Sequence, residues 1–351
     1  MEGVTRQSVA RPDGHSESVR VTAGEASGSR ASPTVATTGL SLQPNGAHDS
    51  RMDTFSPSHR GRFAPSPTGS LHFGSLVAAL GSWLTARAAR GSWIVRVEDL
   101  DPPREVAGAD VDILATLAAF GMESDEPVLY QSRRAAMYAE AFARLKDAGH
   151  VYACWCSRSD LAPFDGIHPV SCVAPHDASR DPAWRLRVPA RVIAFDDAVQ
   201  GRVEQHLARE VGDFVVLRAD GWYAYQLAVV VDDAAQGITD VVRGADLVDS
   251  TARQILLQDL LDLPRVRYAH LPLVLDGEGR KLSKQQRAIA VDAADPLPAL
   301  GAALAFLDQD VPAERTVASM LARAVELFDV RRIPATARAP VPFAALRKEV
   351  S

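Results

Sequence analysis

The sequence predicts an α/β protein built on a parallel sheet, from three observations. A short apolar strand at Gly61–Ala64, apolar residues at helical spacing over Phe73–Arg90, and a second strand at Trp93–Val97 compose a βαβ unit. Strand-like and helix-like patterns keep alternating to about residue 275. The first strand passes into the first helix through "APSPTGSLHFGS", a Pro/Gly-rich turn of the kind that places a helix N-terminus at a ligand crevice.

The elements follow in order. Two parallel strands joined by a helix imply a right-handed crossover. Helices are expected over Arg104–Phe120, stopped by Gly121, and over Ser132–Ala148, stopped by Gly149. Residues 150–210 hold the cysteines, several prolines and many arginines, and read as an irregular insertion in the sheet domain. Strands are expected at Asp213–Arg218, Trp222–Val231 and Ile238–Val242, then a helix at Leu247–Leu261 and a strand at Tyr268–Leu275. Helical patterns dominate afterwards, in "DPLPALGAALAFL" and "TVASMLARAVELF".

Three regions result. Residues 1–58 are rich in Ser, Thr, Gly and Ala, have no aromatic before Phe55, and cannot bury enough apolar area to offset their ordering entropy, so a disordered extension is expected. Residues 59–285 are expected to form the sheet domain, irregular insertion included, and 286–351 a short helical segment.

Composition bounds the function. The 351 residues are 47% hydrophobic and 23% charged, with formal net charge −6, so any nucleic-acid partner has to be held by a local basic surface. Arg180, Arg185, Arg187, Arg191 and Arg202 offer either such a surface or a solvated charged face. There is no apolar run of membrane-spanning length and no secretory apolar region, which points to a cytoplasmic protein with no membrane partner.

The three cysteines are clustered as Cys154-x-Cys156 and Cys172, with His168 four residues before Cys172. Three thiolates and an imidazole fit a closed tetrahedral Zn²⁺ site, one ion per chain. His176, four residues on the other side of Cys172, competes with His168 as fourth ligand. In "APSPTGSLHFGS", spacing alone is compatible with a tight turn capped by Ser70; it also fits a phosphate site in which His72 donates to an oxygen and Gly74 lets a flat ring approach the backbone.

Taken together, "HFGS" at His72–Ser75 resembles the HIGH signature of class I aminoacyl-tRNA synthetases and "KLSK" at Lys281–Lys284 their KMSKS loop. With "RFAPSPTGSLH" and "RVEDLD" the resemblance narrows to the glutamyl/glutaminyl branch over about residues 61–290. It implies a Rossmann-type catalytic domain with a zinc-binding insertion, in which His72, Gly74, Lys281 and Lys284 bind ATP and stabilise pyrophosphate departure. Mg²⁺ accompanies such ATP chemistry. By the same resemblance Arg62, Ser66, Glu98, Tyr225 and Arg243 hold glutamate, whose two carboxylates and one ammonium ask a dry pocket for two cations and one anion.

The shortness of the chain after Lys284, together with the cysteine cluster, is similar to one subgroup, the glutamyl-queuosine tRNA(Asp) synthetases. Their zinc site has a Cys-x-Cys, a Tyr and a Cys; here His168 stands where the tyrosine is expected. The resemblance implies no anticodon-binding domain, and glutamate attached to queuosine in the anticodon stem-loop of tRNA(Asp). Two other readings share these residues: a minimal glutamyl-tRNA synthetase charging the 3′ end, and a non-catalytic glutamate- or tRNA-binding module.

Overall fold

In a computed structural model, the described residues are 59–275, 290–336 and the backbone of 338–340. The expected extension over 1–58 and the "KLSK" stretch lie outside them.

The chain order is β1 (Arg60–Phe63), α1 (Phe73–Ala88), β2 (Ser92–Val97), α2 (Ala109–Ala119), β3 (Leu129–Tyr130), α3 (Ala135–Asp147) and β4 (Val151–Cys154). A short helix α4 (Arg158–Leu161), β5 (Ala183–Leu186), β6 (Val192–Asp197), β7 (Gly201–His206), the short α5 (Leu207–Glu210) and β8 (Phe214–Leu217) follow. The described chain continues with α6 (Tyr225–Ala235), β9 (Asp240–Gly244), α7 (Val248–Leu260), β10 (Arg267–Leu271), β11 (Leu273–Leu275), α8 (Pro296–Phe306), α9 (Val317–Leu327) and β12 (Arg338–Pro340).

The main sheet has seven strands in the order β3-β2-β1-β9-β10-β6-β7. Every neighbouring pair is parallel except β6 with β7, which makes an antiparallel edge. Because successive residues of a strand point to opposite faces, both faces must be covered by apolar layers. On β2, Trp93 and Val95 join the core under α1, α8 and α9, while Ile94 joins the core under α3, α6 and α7. The approach of α1 to β10 is close: a Cβ on Gly81 would lie 2.6 Å from Leu271 Cδ1, so the leucine side chain would have to shift to admit it.

The α/β parallel-sheet expectation holds, and the first βαβ unit forms as read. Gly121 and Gly149 follow the ends of α2 and α3 with φ of 70° and 72°, the left-handed conformation that glycine enters without penalty. Three local expectations are corrected. The strand expected at Trp222–Val231 is instead largely α6: its run of valines matches β propensity, but Leu227, Ala228, Val230 and Val231 pack as a helix against the second core. The overlooked stop signal was Gly237 (φ 64°), just beyond the Gln236 cap. The segment expected to be irregular is irregular only in part, since β6 and β7 belong to the main sheet and β4, β5 and β8 form a separate antiparallel sheet. The strand expected at Tyr268–Leu275 is broken at Pro272, which has no N–H to give a ladder.

Candidate active site and metal centre

In an open parallel sheet the ligand crevice opens beyond the carboxyl ends of two strands from which the order runs in opposite directions. Here those strands are β1 and β9, and two adjoining cavities lie there. One, of about 530 Å³, is lined by Arg62, Ser66, Glu98, Tyr225 and Arg243. The other, of about 630 Å³, is lined by Ser66, His72, Gly74, Val274 and Ala290. Phe63, Ala64, Ser66, Gly244 and Asp246 border both.

The first cavity brings together all five residues expected to hold glutamate. Arg62 and Arg243 are 3% and 5% exposed, which rules out ordinary surface arginines. Tyr225 is the first residue of α6 rather than part of a strand. Behind the wall is a charge network that sequence reasoning missed. Arg62 Nε donates to Asp233 Oδ1 at 3.2 Å. The wholly buried Arg96 lies 2.8 Å from the same oxygen and 3.3 Å from Glu98 Oε1. Asp232 pairs with Arg134 at 2.5 Å, lies 3.9 Å from Arg96 Nε, and accepts from Tyr138 and Gln131.

The two-arginine, one-glutamate arithmetic is therefore extended. Arg62, Arg96 and Arg243 stand against Glu98 and Asp233, an excess of one positive charge, once Asp232 and Arg134 cancel. The overlooked signal was Arg96 inside an otherwise apolar strand, two residues before Glu98 and so on the same face. Burial raises the Glu98 carboxyl above its usual range, against the pull of Arg96 and Arg62. Burial also opposes ionisation of Asp233, but the two arginines hold it below the usual range. A ligand ammonium beside Glu98 favours its charged form, whereas a neutral ligand group leaves burial to dominate.

Arg243 is held from three sides. Its Nε donates to His270 Nε2 at 3.0 Å, and its Nη2 to Thr251 Oγ1 at 2.8 Å and the Leu247 carbonyl at 3.3 Å, while Nη1 reaches toward the Tyr225 hydroxyl at 3.5 Å.

In the second cavity His72 is the N-cap of α1, in place of the capping Ser70 that spacing alone allowed. Its Nδ1 accepts from the Ser75 N–H at 3.2 Å, and Nε2 lies 3.1 Å from Ser75 Oγ. The α1 N-terminus thus opens onto the cavity with its partial positive charge. At Gly74 an added Cβ would lie 3.3 Å from the His72 ring, so a side chain there would crowd both the histidine and the cavity. Lys281 and Lys284 lie outside the described residues; the flanking Val274 and Ala290 both line this cavity, and Val291 N–H donates to Leu71 O at 3.0 Å.

Away from this crevice, Cys154, Cys156, His168 and Cys172 offer ligand atoms all within 4.8 Å of one another. His168 Nε2 is 3.3 Å from Cys154 Sγ, and its Nδ1 is 2.6 Å from the Pro169 carbonyl, which orients the ring. His176 instead packs edge-on against Trp155, with ring centroids 4.4 Å apart, and has no place in the cluster. The donor chemistry fits a thiophilic cation. Backbone N–H groups of Cys156 and Ala174 and the Arg185 Nε point at the sulfurs of Cys154 and Cys156 at 3.3–3.4 Å. Partial desolvation of its sulfur, with Cys154 and Cys156 close by, pushes the Cys172 thiol up to about 12 although the residue as a whole is exposed. Arg185 is thereby committed to the cluster rather than to RNA, and Arg191 and Arg202 pair with Asp259 and Asp196.

Comparison with known proteins accords with this geometry. The chain matches the family described as tRNA synthetases class I (E and Q), catalytic domain, over residues 59–164 and 170–299. It is 59% identical over 283 residues to a glutamyl-Q tRNA(Asp) synthetase of Xanthomonas oryzae pv. oryzae, covering 80% of this chain and 94% of the relative. It is 56% identical over 275 residues to one of Burkholderia cenocepacia, covering 74% and 92%. Among solved structures it resembles a glutamate tRNA ligase from Elizabethkingia meningosepticum, in complex with its amino acid, with TM-score 0.68, 23% identity, and coverage of 82% of this chain and 68% of that one. A glutamate-tRNA synthetase from Elizabethkingia anophelis gives TM-score 0.67 at 25% identity, with 80% and 68% covered. The chain belongs to the glutamyl and glutaminyl class I tRNA synthetases and, within them, to the glutamyl-Q tRNA(Asp) synthetase family.

Proposed function

We propose that the protein activates glutamate with ATP as glutamyl-adenylate and transfers the glutamyl group to queuosine in the anticodon loop of tRNA(Asp). The convergence of Arg62, Glu98, Tyr225 and Arg243 on one cavity, next to the N-terminus of α1, carries this reading. The cavity's excess of one positive charge complements glutamate, which has two carboxylates and one ammonium. Glutamine, lacking that net charge, leaves an arginine uncompensated, and aspartate falls one methylene short, a deficit of about 1–3 kcal/mol.

Activation joins a glutamate carboxylate oxygen to the α-phosphorus and breaks the bond from that phosphorus to the β-phosphate oxygen, releasing pyrophosphate. The protein's work is to position the two reactants and offset the developing charge. Arg62 and Arg243 orient the carboxylates, Glu98 receives the ammonium, and Ser66 and Tyr225 complete the polar lining. His72 and the N-terminus of α1 face the phosphates, Gly74 leaves room for the adenosine, and Lys281 with Lys284 offsets charge on the departing pyrophosphate. ATP arrives as its Mg²⁺ complex, which supplies further neutralisation. In the second step a hydroxyl of the acceptor nucleoside attacks the glutamyl carbonyl, an ester forms and AMP leaves.

Cys154, Cys156, His168 and Cys172 would hold one Zn²⁺, a structural role that leaves the reaction to the other site. Labelled glutamate, ATP and queuosine-containing tRNA(Asp), followed by nuclease mapping of the label, test the whole reading. Label in the anticodon loop is expected; label confined to the terminal adenosine identifies 3′-end charging and overturns it. Absence of glutamate-dependent ATP–pyrophosphate exchange without RNA would favour a binding module.

A further inference from the structure

Beneath the first cavity lies a buried chain of polar groups that continues away from the ligand side of Arg243. His270 of β10 and Asp197 at the end of β6 have wholly buried side chains, 2.6 Å apart between Nδ1 and Oδ2. Asp197 Oδ1 accepts the backbone N–H groups of His270, Val199 and Gln200 at 3.1, 3.0 and 2.8 Å. The carboxylate is therefore saturated with donors and fixed in place. On its far side the imidazole meets Arg243 Nε at 3.0 Å, with Thr251 Oγ1 at 3.2 Å from the same ring nitrogen.

Donor chemistry sets the proton positions from both ends. An ionised carboxylate offers only lone pairs, so Nδ1 carries the hydrogen; a guanidinium offers only hydrogens, so Nε2 presents its lone pair. A neutral imidazole satisfies both in one tautomer. Burial and the nearby Arg243 favour that neutral form, while Asp197 opposes them, and the balance lowers the His270 pKa from its usual value.

We propose that Asp197 and His270 are positioning residues that fix the Arg243 guanidinium for a substrate carboxylate: Asp197 selects the His270 tautomer, and His270 Nε2 anchors Arg243 Nε. With Nε tied to His270 and Nη2 to Thr251 and Leu247, Nη1 is left beside the Tyr225 hydroxyl at the cavity. The inference rests on the proposed role of Arg243 in holding glutamate.

Two variants separate tautomer from bulk. Asp197→Asn keeps the acceptor oxygen for the three backbone N–H groups, but its amide donates to Nδ1 and moves the ring proton to Nε2, against Arg243 Nε–H. His270→Asn keeps a donor near Asp197 and removes the acceptor at the Nε2 position; His270→Gln restores an acceptor there. In glutamate-dependent ATP–pyrophosphate exchange, Asp197→Asn and His270→Asn are expected to raise the glutamate KM roughly tenfold or more, as loss of a hydrogen bond to a charged group does. The KM for ATP should be unchanged, and His270→Gln should recover much of the loss. Nitrogen-15 spectra of histidine-labelled protein should show His270 protonated at Nδ1 alone, and at Nε2 in Asp197→Asn.

A reversed tautomer with an unchanged glutamate KM overturns the proposal and leaves the proposed function standing. Nε2 protonation in the unaltered protein overturns it too, as does a raised KM in Asp197→Asn with no change of tautomer. If the unaltered protein shows no glutamate-dependent exchange, the proposed function falls and this inference with it.

Discussion

In the proposed function amino-acid selection turns on Glu98, the one carboxylate among the described residues lining the first cavity that lies against Arg96, with its carboxyl raised by burial. Glu98→Gln keeps the shape, removes the charge that meets an ammonium, and strips Arg96 of one partner. Truncating one member of a buried charge pair costs about 2–5 kcal/mol. The glutamate KM in ATP–pyrophosphate exchange should rise by a factor of about 30 or more. An unchanged KM would show that the ammonium is held elsewhere. At this scale the five glutamate-site candidates were legible because short motifs fix their positions along the chain. Asp233 and Arg96 were not, because an acid at the end of an apolar run and a basic residue in a strand acquire meaning only when they meet, 137 positions apart in the case of Arg96 and Asp233.

Elements set the second level. The strand β4 delivers Cys154, and the stretch from Cys156 to Cys172 folds back so that His168 returns to it, with Gly212 beside the His168 backbone. That stretch has little regular structure and a small apolar cluster of Cys154, Cys156 and Leu161, so the proposed zinc ion is expected to supply much of its order. Protein purified without chelator should contain about one zinc per chain. Stripping the metal, or Cys154→Ser, should speed proteolysis within residues 155–182 while leaving the main-sheet circular dichroism nearly intact. Zinc-free protein with equal protease resistance would contradict a metal-dependent fold of this stretch. The cysteine spacing announced the cluster, but the choice between His168 and His176 did not follow from it. Both histidines stand four residues from Cys172, and only the path of the backbone turns one inward and the other onto Trp155.

For the whole molecule, the pair joining β6 to β10 couples stability to pH. His270 has a lowered pKa in the folded state, so an unfolded chain binds its proton more readily, and the contribution present above about pH 6.5 is lost as pH falls below that value. Asp197 is held down to about 2, with burial opposing and the His270 hydrogen bond leading the groups that lower it. Its contribution is complete above the unfolded carboxylate value near 3.9 and is lost as pH falls toward about 2. Urea midpoints should therefore decline in two stages on acidification, and His270→Asn should flatten the stage near pH 6.5. The same slope in the variant would place that transition on other groups.

The sequence by itself determined the parallel-sheet class, the first βαβ unit, the helix ends marked by Gly121 and Gly149, the positions of the motif residues and the cysteine cluster. Each of these is written in local periodicity, in a glycine that alone takes the required backbone conformation, or in a short spacing. Only the tertiary structure decided that Tyr225 begins a helix, that β6 lies in the main sheet, and that Asp197, His270 and Arg243 form one buried chain. Those outcomes depend on which face of an apolar run meets a core and on groups far apart in sequence losing water together, and neither is encoded at any single position.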